Sequence, residues 1–463
     1  MCRRPAILLE SLPSRPYHSA SLDFSLSEVT MTTTELLERR ERLLGIGAPL
    51  FYDQPLHIVK GEGVWLSDAD GKRYLDMYNN VPCVGHGHPH VVEAMQQQAA
   101  SLNVHSRYLH EGILDYAGRL TQLHADSLSS AVFTCTGTEA NEVAMAMARA
   151  ATGGRGIICS DSAYHGNSAE VSKLNHVGYL ERMGRSADPD IRAIPFPQRY
   201  RPLADNLPEA ELTDLYLQEL QRVIDAISND GIKLAAMLVC PILANEGLPD
   251  IPAGFMVRAA EMVRAAGGLF ITDEVQAGFG RTGRWWGYQT MDVQPDIVSL
   301  GKPMGNGLPF AGVIASTELV DAFRKSSRYF NTFASSPLQA AVGSAVLDVI
   351  EQEDLLANVA RVGAYLRSEL CKLQEGCEPM ADVRGHGLFI GLEWVADRES
   401  RTPDREQAKV IANRMKEKGF LLSNAGVLGN VLKIRPPLVF KQEHADLFLT
   451  AFAETIGENP AHG

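Results

Sequence analysis

The most informative segment of this sequence is GGLFITDEVQAGFGRTGRWWGYQTMDVQPDIVSLGKPMGNGLPFAGV, Gly267 to Val313. It contains two short apolar runs, Leu269 to Thr272 and Asp296 to Leu300, each bounded by glycine, proline or charged residues. Such runs are typical of buried strands in a parallel sheet. Asp273 follows the first run and Lys302 follows the second. Both side chains are therefore predicted at the carboxyl ends of strands.

An aspartate and a lysine at this edge of a sheet indicate a particular chemistry. Open α/β sheets bind ligands outside the carboxyl ends of their strands. Enzymes that use pyridoxal 5'-phosphate (PLP) need one lysine for a Schiff base and one acidic residue beside the pyridine nitrogen. That carboxylate keeps the nitrogen protonated, so the ring becomes an electron sink. Either residue alone is more simply explained as a surface charge, but the pair predicts a PLP site with Lys302 and Asp273 as catalytic residues.

The segments TDEVQAGFGRTG and PDIVSLGKPMGNGLP resemble the signature of class III (subgroup II) PLP-dependent aminotransferases. The resemblance extends from about Gly61 to about Phe440. It implies an α/β enzyme of PLP fold type I, with a large domain whose mostly parallel central sheet is flanked by helices. A smaller α+β domain would come from the N- and C-terminal segments. The resemblance also implies a homodimer, or a tetramer, with active sites at the subunit interface.

Composition fits a large enzyme that acts on small molecules. The chain has 463 residues, of which 45% are hydrophobic and 21% are charged, and its net charge is −13. No apolar run approaches the ~20 residues of a membrane helix, and no basic cluster suggests a nucleic-acid partner. Seven cysteines are scattered singly, which fits a reducing compartment better than a disulfide framework. We therefore expect a cytoplasmic enzyme that binds neither membranes nor nucleic acid.

The first thirty residues differ from the rest because arginine, serine and proline are frequent in them. Glu10 interrupts an already short apolar run, which argues against a secretory signal. A disordered tail or a start at Met31 is the preferred interpretation, and a mitochondrial-type presequence is the alternative. The predicted organisation is a tail at 1–33, an N-terminal segment of the small domain at 34–110, a large PLP-binding domain at 111–339 and a C-terminal small domain at 340–463.

Local patterns predict the elements around this core. A helix begins near Thr34, and a β-hairpin follows with its turn at Asp70-Gly71. The segment SAVFTCTGTEANEVAMAMARA, Ser130 to Ala150, predicts a strand and then a helix, and GIICSDSAYHGNS predicts a strand that ends at Tyr164-His165-Gly166. Beyond residue 340, VGSAVLDVIEQEDLLANVARVGAYLRSELCKLQ predicts one long amphipathic helix, and VRGHGLFIGLEWVAD predicts a turn and a strand.

Gly137 and Thr138 lie at the predicted strand-to-helix junction. A helix N-terminus offers unpaired amides and the positive end of a dipole to an anion. From these residues alone an ordinary N-cap is the simpler explanation. The segment CTGTEAN, Cys135 to Asn141, however, resembles the family's phosphate-binding motif, usually SGSEAN. The resemblance implies that Gly137 and Thr138 bind the cofactor phosphate.

Further cofactor contacts are implied by the resemblance. The sequence YHG matches a family motif whose aromatic ring, here Tyr164, stacks on the cofactor at the sheet edge. His165 contacts the cofactor or supports the site from behind it. Val275 is placed under the cofactor ring, and Gln276 is placed near its phenolic oxygen.

One predicted contact comes from a second subunit. The segment FNTFASSPLQAA, Phe330 to Ala341, resembles the family's TFxxNP motif, whose threonine reaches the phosphate of the neighbouring subunit. Here that residue is Thr332, which would make dimerisation part of cofactor binding. The segment departs from the motif at Ser336, where asparagine is common.

A metal site is not expected. His86, His88 and His90 lie close together in VGHGHPHVVEAMQQQAASL, but the segment has neither the carboxylate or cysteine partners nor the closed spacing of a zinc site. It resembles instead the family's glycine-rich turn before a helix, GHxHP.

The substrate-binding residues depart from the common family pattern. Many members carry a carboxylate-binding arginine where this chain has Lys433, two residues before Arg435. The glutamate that usually gates that arginine falls on Asn245, with Glu246 one position along. Lys433 and Arg435 alternate in a probable strand and would share one face, where they could bind a carboxylate or a phosphate or be a solvated pair without a ligand. The other candidate substrate contacts are Tyr52, Tyr78, Asn80 and Arg107.

Two reactions are compatible with these parts. In the first, Lys302 binds the cofactor and then shuttles a proton, and an amino group moves from a small primary amine or amino acid to a keto acid. In the second, the same site expels a group from the neighbouring carbon and is a lyase. The segments MYNNVPCVGHGHP and NVHSRYLHEGILDYAGRL resemble the branch with ethanolamine-phosphate and phosphohydroxylysine phospho-lyases. Transamination is preferred as the family's commonest reaction, and elimination from a phosphorylated or phosphonated amine such as O-phosphoethanolamine is the alternative.

A PLP-binding protein without turnover is a third hypothesis. Such a protein would keep a visible cofactor that no amine discharges. The joint retention of Lys302, Asp273, Gln276 and the phosphate loop argues against it, because such groups cluster where chemistry occurs.

Overall fold

The structure, a computed structural model, describes residues 31–175, 177–178 and 188–457. Residues 1–30, for which the sequence predicts a tail, lie outside the described residues. The described residues divide into two compact units, one up to Pro49 and one from Leu50 onwards.

The described strands are β1 (Ile58–Glu62), β2 (Trp65–Asp68), β3 (Arg73–Asp76), β4 (Ser130–Thr134), β5 (Gly156–Ser160), β6 (Ile191–Ile194), β7 (Leu234–Val239), β8 (Leu269–Asp273), β9 (Ile297–Leu300), β10 (Ala311–Ala315), β11 (Met380–His386), β12 (Phe389–Asp397), β13 (Thr402–Pro403), β14 (Phe420–Leu421), β15 (Ser423–Ala425) and β16 (Val431–Ile434). The described α-helices are α1 (Thr33–Leu44), α2 (Pro89–Ser101), α3 (Glu111–Gln122), α4 (Gly137–Thr152), α5 (Glu209–Asn229), α6 (Phe255–Ala265), α7 (Thr317–Ser326), α8 (Pro337–Gln352), α9 (Leu355–Glu375), α10 (Arg405–Glu417) and α11 (Gln442–Gly457).

Helix α1 confirms the helix predicted near Thr34. Its first turn is stabilised by a capping box, in which Thr32 Oγ1 accepts from the Glu35 amide (3.2 Å) and Glu35 Oε2 accepts from the Thr32 amide (2.8 Å). The helix ends at Gly45, whose φ of +84° suits glycine.

A seven-stranded sheet forms the centre of the second unit, with strand order β4-β10-β9-β8-β7-β5-β6. Strands β6, β5, β7, β8 and β9 run parallel to one another, whereas β10 is antiparallel to both β9 and β4. The predicted mostly parallel sheet is therefore confirmed, and so are both strands of the Gly267–Val313 segment. Because Asp273 pairs with Ser299 in the β8–β9 ladder, Asp273 and Lys302 lie at the same edge.

Both faces of this sheet are covered, as the continuous apolar runs predict. Ile271 and Ile297 pack in a core cluster with residues of α4, whereas their neighbours Phe270 and Val298 belong to the larger cluster on the other side. Successive side chains of a strand point to opposite faces. The strands can therefore be apolar throughout.

Two smaller sheets surround the central one. The order β1-β2-β3-β14 joins the predicted N-terminal hairpin to a C-terminal strand, with β14 parallel to β3. The order β11-β12-β16-β15 carries Lys433 at its third strand. Segments far apart in the sequence thus meet, although the predicted domain boundaries at 34–110, 111–339 and 340–463 stay a prediction.

Two predicted elements were wrong in their extent. The strand predicted to end at Tyr164-His165-Gly166 ends at Ser160, and the three residues lie in the loop that follows. The single long helix after residue 340 is two helices, α8 and α9, separated at Asp354. Asp354 has φ of +49°, and this left-handed conformation turns the chain between them. Among the described residues, no helix is both long and apolar enough to cross a membrane.

Candidate active site

A cavity of about 120 Å³ lies at the carboxyl edge of the central sheet. Its lining consists of Gly137, Thr138, Tyr164, His165, Gly166, Cys240, Asn245, Asp273, Val275, Gln276 and Lys302. All the predicted cofactor contacts are in this set except Thr332. The cavity therefore gathers residues from β8, from the start of α4, and from the loops after β5, β7 and β9.

Asp273 ends β8 and is held by three hydrogen bonds. Its Oδ2 accepts from His165 Nδ1 (2.7 Å) and Asn141 Nδ2 (2.9 Å), and its Oδ1 accepts from the Val275 amide (3.0 Å). Burial alone would raise the pKa of Asp273, but these donors and the charge of His165 hold it below its usual range. A carboxylate at this position is therefore ionised at neutral pH and points at a fixed place.

Lys302 begins a short 3-10 turn immediately after β9 and Gly301. Its φ of +27° is a backbone conformation that costs a non-glycine residue energy and that clusters at functional sites. The side chain lines the cavity and is exposed to its open space. Burial lowers the pKa of Lys302, an effect that the Asp273 charge opposes and the Arg435 charge reinforces. The neutral amine is therefore more accessible than that of a surface lysine.

The start of α4 forms one wall of the cavity. Thr136 is the N-cap, and its side chain accepts from the Glu139 amide (3.2 Å), whereas the amides of Gly137 and Thr138 belong to the first turn, which has no partners within a helix. A Cβ at Gly137 would lie 2.9 Å from Val275 Cγ2. The glycine predicted to bind phosphate is thus also needed for packing.

Gly166 completes this wall. It has φ of +146°, and a Cβ there would lie 2.5 Å from Thr138 Oγ1. Tyr164, two residues earlier, is 39% exposed and lies at the cavity. An aromatic ring with one open face fits a stacking role.

A chain of polar contacts crosses the other side of the cavity. Gln276 Nε2 donates to Asn245 Oδ1 (2.9 Å), and Asn245 Nδ2 donates to the Tyr164 carbonyl (2.9 Å). Arg435 Nη1 donates to Gln276 Oε1, and Arg435 Nε donates to the Tyr78 carbonyl (2.9 Å). Asn245, at the expected gate position, therefore contacts Gln276 rather than an arginine.

Lys433 is buried beside this chain of contacts. It is 4% exposed, and among the described residues no carboxylate lies within ion-pair distance of it. Its Nζ lies 5.6 Å from the ring centroid of Phe389, and the Arg435 guanidinium lies 5.2 Å from the same ring, so the two cations share one face. Burial lowers the pKa of Lys433 to about 7, and the charge of Arg435 contributes. The pair forms a concentration of positive charge, and no described carboxylate makes an ion pair with either cation, although the charges of Glu246 and Asp76 oppose the lowering of their pKa values.

Neither Lys433 and Arg435 nor the other candidate substrate residues are in the lining of the cavity. Tyr52 donates to the Leu422 carbonyl (3.0 Å), and Asn80 Nδ2 donates to the Gln276 carbonyl (3.3 Å). Tyr78 contributes its carbonyl to Arg435, which lies 5.1 Å from its ring. Arg107 is exposed and lies 4.0 Å from the Phe330 ring centroid. Thr332 is also exposed and outside the cavity.

Each of the three clustered histidines meets its own carboxylate. His86 lies 2.7 Å from Asp76, and the other two histidines contact partners on α8 and just beyond it, namely His88 with Glu353 (3.0 Å) and His90 with Asp348 (3.0 Å). The sequence did not reveal these partners because they are distant in the chain. Among the described residues, no group of histidine, cysteine and carboxylate side chains is placed to hold a metal.

Three residues of the site were missed by the sequence reasoning. Asn141 holds Asp273 and accepts from Ser299 Oγ (2.5 Å); its signal was its place at the end of CTGTEAN, one helical turn beyond Gly137. Cys240 lines the cavity, and burial raises the pKa of its thiol. Buried Arg281 donates to Asn80 Oδ1 (3.0 Å) and the Leu388 carbonyl (3.0 Å). Only GFGRTG, within the family signature, pointed to it.

Comparisons with known proteins agree with this site. The model of the family "Aminotransferase class-III" matches residues 51–456. An alanine–glyoxylate aminotransferase 2-like protein of Drosophila melanogaster is 38% identical over 447 residues, which cover 95% of this chain and 90% of that protein. The human mitochondrial alanine–glyoxylate aminotransferase 2 is 34% identical, with 92% of this chain and 86% of that protein covered.

A solved structure is also similar along nearly the whole chain. A phospholyase from Arthrobacter in complex with phosphoethanolamine is 40% identical, has a TM-score of 0.88, and covers 92% of this chain and 100% of that one. Other similar structures are transaminases, including one from Thermomicrobium roseum at 28% identity and a TM-score of 0.82. The fold is therefore that of PLP-dependent enzymes of fold type I, and the chain is an enzyme that belongs to the class III aminotransferase family.

Proposed function

We propose that this enzyme binds PLP in the cavity at the sheet edge and transfers an amino group from a small primary amine or amino acid to a keto acid. The observation that carries the proposal is the placement of Lys302 and an ionised Asp273 in one cavity, beside the open first turn of α4. When bound, PLP supplies an aldehyde for the amine and a ring that withdraws electrons.

The lining fits this cofactor in shape and charge. The glycines at positions 137 and 166 leave space that a Cβ would fill, at the end where helix amides can bind a phosphate. Asp273 offers a negative charge for a protonated ring nitrogen. Tyr164 and Val275 offer an aromatic face and an apolar face for the ring. Gln276, already held by Asn245 and Arg435, offers an amide to the phenolic oxygen.

Lys302 would bind the cofactor aldehyde and, once replaced by the substrate amine, act on protons beside the substrate carbon. Its lowered pKa favours the neutral amine, which is the form that can accept a proton. His165 and Asn141 keep Asp273 in place while the charge on the substrate carbon develops. These roles need no group outside the described cavity except the substrate and the cofactor.

A phospho-lyase reaction on a phosphorylated amine is the second candidate. It is supported by the Arthrobacter phospholyase, whose structure contains phosphoethanolamine. It is also supported by Lys433 and Arg435, two cations beside Phe389 with which no described carboxylate forms an ion pair. A phosphate group carries more negative charge than a carboxylate and would compensate both cations. Tyr52, Tyr78, Asn80 and Arg107 remain candidate substrate contacts.

One experiment separates the two reactions. The cofactor-loaded enzyme is mixed with O-phosphoethanolamine without a keto acid, and the visible absorbance, free phosphate and acetaldehyde are followed. Continuous release of phosphate with the cofactor spectrum restored would establish the lyase. A single discharge of the cofactor without phosphate would support transamination, which alanine and glyoxylate then test in steady state. Lys302→Ala is the control for background release.

We also propose that the enzyme is a homodimer and that Thr332 reaches the partner's cofactor site. Large apolar side chains are exposed beside Thr332, namely Phe333 at 76% and, on a second segment, Leu109 at 100%. The two segments meet where Arg107 lies over Phe330. Exposed apolar surface of this kind is typical of an interface.

The location and the domain boundaries complete the proposal. The singly scattered cysteines support a cytoplasmic location. The human relative is named mitochondrial, so imaging of the full chain beside a chain that begins at Met31 is the test. The small domain would combine 34–110 with 340–463 around the large domain at 111–339.

A further inference from the structure

Two buried polar atoms in the wall of the active-site cavity have no hydrogen-bond partner among the described residues. They are His165 Nε2 and Glu246 Oε2. His165 lines the active-site cavity, whereas Glu246 lines a second cavity of about 340 Å³ on the other side of the same wall. Buried polar atoms are nearly always satisfied, by protein or by an ordered water. This pair therefore calls for a partner.

The hydrogen bond to Asp273 determines the state of the His165 ring. An ionised carboxylate can only accept, so Nδ1 of His165 carries the hydrogen in the 2.7 Å contact with Asp273 Oδ2. The other nitrogen, Nε2, is then available for a second partner on the opposite side of the ring. Among the described residues, Nε2 of His165 has no such partner.

Glu246 has the same requirement. Ser160 Oγ donates to Glu246 Oε1, so that oxygen is occupied as an acceptor. The other oxygen, Oε2, is buried without a partner among the described residues, and burial raises the pKa of this carboxyl group. Asn245 Nδ2 donates to the Tyr164 carbonyl (2.9 Å), so the next residues of the two segments, Glu246 and His165, lie close together, yet they make no direct hydrogen bond. A water can both donate and accept, so a single water between Glu246 Oε2 and His165 Nε2 would satisfy both atoms.

We propose that Glu246 is a positioning residue for Asp273, acting through one buried water and the His165 ring. The water bridges Glu246 Oε2 and His165 Nε2, and Nδ1–H of the ring stays directed at Asp273. This inference rests on the proposed function, because it concerns the carboxylate expected to face the cofactor.

The role follows from how a histidine supports a neighbouring group. A ring held at both nitrogens cannot change tautomer or rotate, and outer partners of this kind orient the group that makes the functional contact. Without the water contact, His165 can place its hydrogen on Nε2 and withdraw its donor from Asp273. Asp273 would then bind a protonated ring nitrogen less tightly.

Three variants test the proposal through cofactor affinity. Glu246→Leu removes the polar group that would hold the water, Glu246→Gln keeps a polar group of nearly the same shape, and Asp250→Asn is the matched control. Asp250 is a carboxyl group in the same loop whose pKa burial also raises, and it contacts neither His165 nor Ser160. The dissociation constant of PLP is measured for each apo protein by tryptophan fluorescence, with thermal midpoints to verify folding.

We expect Glu246→Leu to weaken PLP binding about tenfold, the lower end of the effect of removing an orienting partner. Glu246→Gln should stay near wild type, and so should Asp250→Asn. Wild-type affinity in Glu246→Leu would overturn the proposal. Equal losses in Glu246→Gln and Glu246→Leu would also overturn it, because they would show that the negative charge of Glu246 matters and not its hydrogen bond to the water.

A crystal structure of the wild-type protein provides a measurement that does not depend on any variant. Density for a water within hydrogen-bond distance of both His165 Nε2 and Glu246 Oε2 is expected, and a dry gap would overturn the proposal. The water can be seen with or without cofactor. A wild-type protein that binds no PLP would instead contradict the proposed function.

Discussion

The chemistry of this enzyme is concentrated in single side chains whose properties burial has altered. Lys302 combines a left-handed backbone with a lowered pKa, and Asp273 combines complete enclosure with three donors. These properties are not shared by lysine and aspartate residues in general. They arise from the neighbouring residues, so substitutions of one residue at a time can test them.

Replacing Lys302 should remove both the covalent attachment of the cofactor and the proton shuttle. We expect Lys302→Ala to lower the turnover rate by at least roughly 10³-fold, since covalent and general-base catalysis are lost together. PLP absorbance and steady-state rates are the measurements, and Lys325→Ala, an exposed lysine on α7, is the control. Turnover within tenfold of wild type would contradict the assigned role.

Replacing Asp273 with asparagine keeps the shape but removes the charge. We expect the turnover rate to fall about a hundredfold, since a hydrogen bond to a charged group contributes roughly 1.5–3 kcal/mol. The control is Asp296→Asn, at the start of the neighbouring strand, where the side chain accepts from Arg264 (3.1 Å). Similar rates for Asp273→Asn and wild type would show that the carboxylate does not support the cofactor.

Lys433 predicts a pH-dependent affinity for anions. Its pKa is lowered to about 7, so the free side chain is charged below pH 7 and neutral above it. An anion favours the charged form; binding is therefore strong below pH 7 and weakens as pH rises, by up to about tenfold per unit. Sulfate, which remains a dianion throughout, is titrated into the cofactor-loaded enzyme from pH 6 to 9. Lys433→Met should abolish the slope, and a slope that survives in this variant would assign it to another group.

At the scale of elements, the start of α4 and the loop after β5 form the proposed phosphate end of the site. Their close approach depends on Gly166, where a side chain meets both an unfavourable φ and Thr138. We expect Gly166→Ala to weaken PLP binding at least about tenfold and to destabilise the fold by roughly 1–3 kcal/mol.

The matched control for that substitution is Gly118→Ala. Gly118 lies within α3, and nothing within 4 Å would meet its Cβ. It should leave PLP affinity unchanged and raise stability by about 0.5–1 kcal/mol, because alanine favours helices. Fluorescence titration and urea unfolding measure both variants, and equal PLP affinities would refute the steric argument.

The separation of α8 from α9 is a feature that the spacing of apolar residues in the sequence does not predict. Apolar residues continue at helical spacing across residues 337–375, so the pattern predicts one helix. The helix is interrupted by the left-handed backbone conformation of Asp354, which the spacing of apolar residues does not predict. Similarly, strand β5 ends at Ser160, and the backbone of His165 and Gly166 hydrogen-bonds with the side chains of Asn141 and Asn175 instead of with a strand.

At the scale of the whole molecule, the proposed dimer and cofactor binding should be linked. We expect Leu109→Glu to shift the enzyme towards monomers in analytical ultracentrifugation, because a charge in an apolar interface is costly to bury. PLP affinity should fall with it, since Thr332 then reaches no partner. The control is Leu447→Glu, an exposed leucine on α11. A dimer with unchanged affinity would contradict the interface.

Much of this protein could be predicted from sequence alone. The apolar runs that end at Asp273 and Lys302 determined the central strands and the sheet edge, because burial on both faces leaves a local signature. The residues at that edge and the family motifs predicted the cavity lining from Gly137 to Lys302. These features depend on neighbours along the chain, so they can be read without a structure.

Only the tertiary structure decided how distant segments complete the site. Lys433 is buried and forms no ion pair with a described carboxylate. Arg435 donates to Gln276, which is 159 positions away in the sequence. Glu246 lines a second cavity near His165. Charge states and partners of this kind depend on which segments the packed core brings together. Sequence spacing does not contain that information, since a side chain's pKa and its hydrogen bonds are properties of its surroundings in space.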